Sequence, residues 1–198
     1  MFLIRLTHWC SDMKNILYIN ACCRESSRTN ELAHHLLLKL DGNVQSVNLY
    51  EENICPIDAN LLSKRDYFLK NDMTDDELFS LAKQFASADT IVIATPYWDL
   101  MFPSILKVYL ENITVCGVTF RYSDKGIPQS LCSAKNLYYV TTAGGFIGEY
   151  NFGFDYVKAL AAGFFGIKNI RFFSAEGLDI YGADAEQIML KAKENIFI

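Results

Sequence analysis

The sequence predicts an α/β domain in which five parallel strands form a doubly wound sheet, order 2-1-3-4-5, with helices on both faces. Three observations lead there. Short apolar runs of strand length recur along the chain, segments with helical apolar spacing separate them, and the runs are too continuously apolar for a sheet with one wet face. Parallel strands need crossover helices, which cover both faces, and five of them suggest that order.

The strands are expected at Ile16 to Asn20, Val44 to Leu49, Thr90 to Thr95, Asn136 to Thr142 and Ile170 to Ala175. A first helix is marked by Leu32, Leu36, Leu37 and Leu40, and a second by Leu78, Leu81, Ala82 and Phe85. Ile105, Leu106, Tyr109, Leu110 and Ile113 mark the third, which Pro103 is placed to start. Tyr156, Val157, Leu160, Ala161 and Phe164 share one face of a fourth, and Ala185, Ile188, Met189, Ala192 and Ile196 one face of a fifth. The stretch from Leu49 to Thr74 reads as a long, partly irregular connection, a candidate lid or interface.

With 198 residues and 51% of them apolar, the chain can bury a full core without disulfides or metal. No apolar run approaches the roughly 20 residues of a membrane span, and a net charge of −5 with no Lys/Arg cluster argues against a nucleic-acid partner. Six cysteines without Cys-x-x-Cys pairing suggest a reduced cytoplasm and no zinc site. Residues 1–12 lack the uninterrupted apolar core of a signal peptide, and Met13 immediately precedes the first strand. The domain is therefore expected to span 13–198, with 1–12 as an N-terminal extension.

In a doubly wound sheet, ligands bind beyond the strand carboxyl ends where strand order reverses, so the loops after strands one, three and four are the place to look. The first, Asn20 to Asn30, has no glycine and hence neither a dinucleotide fingerprint nor a Walker loop. It offers Ser26, Ser27, Arg28 and Thr29 at a helix start, where free N–H groups and the helix dipole favour a phosphate. The plain alternative is that Ser27 or Thr29 simply caps the helix. Cys22 and Cys23 lie close by, but no base is positioned to activate them. The second loop, Thr95 to Pro103, presents Tyr97 and Trp98 with Asp99 and Leu100, rings and polar handles suited to a flat aromatic ligand. The third, Thr141 to Gly145, ends in Gly144 and Gly145, where backbone can approach a planar ligand closely. A packed turn is the bland reading of each. No residue is singled out as a catalytic acid, base or nucleophile.

Ser27-Arg-Thr-Asn30, Pro96-Tyr-Trp-Asp-Leu100, Gly117-Val-Thr-Phe-Arg-Tyr122, Thr142-Ala-Gly-Gly145 and Ala175-Glu-Gly177 together resemble the FMN-dependent NADH:quinone oxidoreductase and azoreductase family, over a span from about Met13 to the C-terminus. The resemblance implies a flavodoxin-like fold, a homodimer and FMN as cofactor. Hydride would pass from NADH or NADPH to flavin N5, and then to a quinone or azo acceptor. It also implies that Ser27, Arg28 and Thr29 hold the FMN phosphate and that Tyr97, Trp98, Asp99 and Leu100 border the ribityl chain and ring. Thr142, Gly144 and Gly145 would line the ring's other polar edge. Phe120 and Tyr122 match the segment beside the substrate pocket, Tyr122 as a substrate-orienting hydroxyl, in a pocket that a second subunit completes. Two positions depart from the pattern: Ala21 stands where the family usually has serine, and Asp99 where it usually has asparagine.

The main alternative is a flavodoxin-type electron carrier that binds FMN without reducing small molecules. Its usual strong acidity is missing here. A hydrolase lacks its Gly-x-Ser-x-Gly elbow, and a receiver domain lacks the aspartate that would end strand three, where Ala94 and Thr95 stand.

Overall fold

The structure is a computed structural model, and it describes residues 13–198. The expected N-terminal extension lies outside the described residues. Five parallel strands form the main sheet: β1 (Asn15–Asn20), β2 (Asn43–Asn48), β3 (Thr90–Ala94), β6 (Asn136–Thr142) and β7 (Asn169–Ala175), ordered β2-β1-β3-β6-β7. In sheet-strand terms this is the expected 2-1-3-4-5. The remaining elements are α1 (Arg28–Leu37), α2 (Ala59–Lys70), α3 (Ser80–Ser87), α4 (Ser104–Ile113), a short hairpin of β4 (Phe120–Tyr122) and β5 (Pro128–Ser130), α5 (Phe152–Gly163) and α6 (Ala185–Glu194).

Alternation along each strand sends side chains to two separate cores. Ile16, Tyr18, Val92, Ala94, Tyr138 and Val140 face α1 and α6, where they meet Leu32, Leu36 and Met189. Leu17, Ile19, Ile91, Ile93, Leu137 and Tyr139 face the other way, onto Phe79, Phe85, Leu106, Tyr109, Val157 and Phe165. Every residue of β3 is buried because it lies at the centre with helices above and below, which is why it reads as an unbroken apolar run. Phe85 and Phe165 join α3 to the chain beyond α5 with ring centroids 4.7 Å apart.

Beside the added hairpin, two helical parts differ from the sequence reading. The Leu49–Thr74 connection contains a twelve-residue helix, α2, started by Asp58, whose side chain accepts from the Leu61 N–H at 2.7 Å. None of its residues is buried, so it lacks the apolar stripe that would have announced it. The second helix is also split: a single 3₁₀ turn, Glu77–Phe79, precedes α3.

Candidate functional site

At the carboxyl edge of the sheet, the loops after β1, β3, β6 and β7 enclose a cavity of about 450 Å³. Its wall includes Cys22, Cys23, Arg24, Ser26, Ser27, Arg28 and Thr29 from the first loop and Pro96, Tyr97 and Trp98 from the second. Thr142, Ala143 and Gly144 come from the third, Leu178 and Asp179 from the fourth.

The first loop turns sharply because Asn20 accepts from the Cys22 N–H through its side chain at 2.9 Å. Ser27 is the N-cap of α1, accepting from the Asn30 N–H at 3.3 Å, so the capping role weighed from the sequence is realised at a position that also lines the cavity. Thr29 is buried, and its hydroxyl lies 2.6 Å from that of Thr142, joining the first and third loops. In a hydroxyl pair one proton is spent within the pair and the other remains for a third partner. Ala21 is fully buried with its N–H donated to Ala94 O at 2.8 Å, so this position offers the cavity neither a side-chain nor a backbone donor.

The second loop is a tight turn in which Trp98 and Met101 exchange two backbone bonds, each 2.8 Å. Its central residues, Asp99 (φ 50°) and Leu100 (φ 67°), both lie in the left-handed region, as a type I′ turn requires. Aspartate tolerates that region as asparagine does, so the departure at residue 99 preserves the turn. For Leu100 the conformation costs about 1–2 kcal/mol, a strain placed at the rim of the cavity. Tyr97 anchors the loop from both ends: its N–H donates to Thr142 O at 3.0 Å and its hydroxyl to Tyr150 O at 2.8 Å.

The third and fourth loops pair through backbone bonds from Leu178 N to Ala143 O, Asp179 N to Gly144 O and Gly177 N to Gly145 O. Glu176 reinforces them by accepting from the Ile147 N–H at 3.0 Å and the Ser174 hydroxyl at 2.8 Å. A Cβ at Gly144 would lie 2.5 Å from Asp179 Oδ2, so a side chain there would push the exposed Asp179 carboxylate aside. Burial raises the pKa of Cys22, keeping its thiol protonated, and the Sγ lies 3.8 Å from Ala94 O.

The structure thus brings Ser27, Arg28, Thr29, Tyr97, Trp98, Thr142 and Gly144 to one cavity. Asp99 and Leu100 occupy the outer tip of their turn, and Gly145 lies one residue beyond the wall. Phe120 and Tyr122 are not brought there. Their hairpin lies at the opposite, amino-terminal edge of the sheet: Ser130 Oγ donates to Phe165 O, just past α5, and the Ser133 N–H donates to Ala86 O, at the end of α3. Phe120 packs edge-on against Phe164 with centroids 4.8 Å apart, which is a core contact. Sequence reasoning missed Leu178 and Asp179. They follow Ala175-Glu-Gly177 directly, so that motif was the available signal, but their loop follows the edge strand rather than one beside the strand-order reversal.

The donor set is that of an anion site. Ser26, Ser27 and Thr29 bring hydroxyls, Arg24 and Arg28 guanidinium groups and the start of α1 its free N–H groups to the lining, and Tyr97 and Trp98 add ring surface. No group of three or more metal-ligating side chains is found among the described residues.

Residues 14–196 match the family model described as "Flavodoxin-like fold". An FMN-dependent NADH:quinone oxidoreductase of Lachnoclostridium phytofermentans is 35% identical over 92% of this chain and 96% of its own. One from Coprothermobacter proteolyticus is 32% identical over 88% and 92%. The crystal structure of an FMN-dependent NADH-azoreductase from Bacillus anthracis in complex with FMN superposes with a TM-score of 0.77 at 25% identity, covering 92% of this chain and 95% of that one.

Proposed function

Because the chain belongs to the family of the FMN-dependent NADH:quinone oxidoreductases, with the flavodoxin-like fold, we propose that it binds FMN in this cavity and uses NADH or NADPH to reduce quinones and azo compounds by two electrons. The observation that carries the reading is the anion cradle at the start of α1, roofed by the aromatic turn after β3. Ser27, Arg28 and Thr29 hold the phosphate, with Ser26 and Arg24 beside them. Tyr97, Trp98, Asp99 and Leu100 border the ribityl chain and ring, and Thr142, Gly144 and Gly145 face the ring's polar edge. FMN supplies the hydride chemistry when bound, accepting from the nicotinamide and delivering to the acceptor. The protein's part is to fix the ring, exclude water from one side and leave the other open to donor and acceptor in turn. No side chain needs to act as acid, base or nucleophile.

The active form is a homodimer in this reading. Trp98, Leu100, Phe146, Tyr150, Phe152 and Tyr181 form an exposed apolar collar around the cavity mouth, which supports a covering subunit. Within one chain Phe120 and Tyr122 lie at the far edge of the sheet, so their substrate-orienting role requires the second subunit to present its hairpin. No helix among the described residues is long and apolar enough to cross a membrane. The described cysteines are all free, in keeping with the cytoplasm as the protein's compartment.

The test is spectroscopic. Protein reconstituted with FMN should bleach on anaerobic addition of NADH or NADPH and recover its absorbance on addition of a benzoquinone. Flavin binding without bleaching by either nucleotide would mark an electron carrier instead, and failure to bind FMN would overturn the site.

A further inference from the structure

Among the described residues, Asp179 is the one carboxylate lining the cavity, and it meets the Arg28 guanidinium. Its side chain forms an ion pair with Arg28, Nη1 to Oδ1 3.1 Å, linking the loop after β7 to the first residue of α1 across 151 positions of sequence. The other ion pairs among the described residues, Lys83–Asp75, Lys107–Glu111 and Lys193–Glu31, lie away from the cavity. Asp179 is also fixed from below: its N–H donates to Gly144 O at 2.9 Å, and its carboxylate rests where a Cβ on residue 144 would otherwise be. The backbone of Asp179 is thus fixed at the cavity wall, and its exposed carboxylate meets the Arg28 guanidinium there.

We propose that Asp179 sets the affinity of the site for the phosphate of its flavin by competing for Arg28. The proposal rests on the FMN reading given above. Arg28 is neutralised by Asp179 in this ion pair. A bound phosphate recruits the same guanidinium, whose planar fork matches phosphate oxygens, and leaves a carboxylate near a dianion. Both partners of the pair are well exposed, with side chains 47% and 73% accessible, so the bond is weak enough to exchange. Glycine at 144 and aspartate at 179 therefore form a single device: the first makes room, and the second fills it with negative charge.

The experiment is a flavin-fluorescence titration of wild type and Asp179→Asn with FMN and with riboflavin, which lacks the phosphate. Asp179→Asn should tighten FMN binding by about two- to fivefold, the range of a half-exposed pair, and leave riboflavin unchanged. In an Arg28→Ala background the same substitution should gain less. Thermal melting of the flavin-free proteins checks that the variants fold, and Asp179→Glu, which keeps the charge, should not reproduce the gain. Unchanged or weaker FMN binding by Asp179→Asn, or an equal gain for riboflavin, overturns the proposal while the FMN reading stands. If the wild type binds neither flavin, the reading of the site falls and the proposal with it.

Discussion

Replacing Thr29 by valine keeps the shape of a buried side chain and deletes one hydroxyl, so its effect can be worked out from a single contact. Thr29 Oγ1 and Thr142 Oγ1 are 2.6 Å apart. Losing that bond costs about 1 kcal/mol, and because Thr142 is only half-buried on the cavity wall, its orphaned hydroxyl can turn to water. Flavin-free protein should therefore melt about 2–4 °C lower. The effect on FMN is larger. The proton not used within the pair is the one left for phosphate, and a hydrogen bond to a charged group contributes about 1.5–3 kcal/mol, which converts to roughly tenfold to a hundredfold in affinity. Thr142→Val breaks the same pair, so the two losses should not add: the double variant should bind FMN only slightly more weakly than the worse single one. Isothermal titration with FMN and with riboflavin measures this directly. Additive losses for FMN, or a Thr29→Val loss equal for riboflavin, would refute the claim that the hydroxyl pair serves the phosphate.

Phe85→Ala should destabilise the domain by about 3–5 kcal/mol, seen as a lower urea midpoint with unchanged slope, because its fully buried ring packs at a tilt against Phe165. Tyr97→Phe removes the hydroxyl bond to Tyr150 O and should cost about 1 kcal/mol, with faster hydrogen exchange confined to residues near Tyr150. Iodoacetamide at pH 8, followed by mass spectrometry, should label the exposed Cys23, Cys55 and Cys116 well before Cys22 and Cys132. Burial raises the pKa of both slower thiols, that of Cys132 to about 11, so their thiolate fraction and labelling rate should climb as pH rises toward that value. Because Cys23 lines the cavity, FMN should protect it selectively.

The central strand, the two-sided burial and the order of the sheet were legible because buried parallel strands must be apolar throughout, and that pattern survives without any tertiary context. That Ser27, Arg28 and Thr29 would line a cavity was legible for a related reason. They stand together in sequence at a helix start, whose free N–H groups are a local property. Helix α2 was hidden because none of its residues is fully buried and only Phe68 and Leu69 rest against the core, which leaves too weak an apolar stripe to announce a helix. The positive φ angles of Asp99 and Leu100 were hidden as well, since leucine carries no preference for that conformation and only the surrounding loops impose it.

Sequence by itself therefore determined the five sheet strands and the helices that carry an apolar face, since these follow from periodicity. Only the tertiary structure decided which distant residues meet. It brought Asp179 to Arg28 and Thr142 to Thr29, and it carried Phe120 and Tyr122 to the far edge of the sheet. Such pairings depend on how the strands are ordered and how their crossovers return, which is a property of the whole folded chain and of no segment within it.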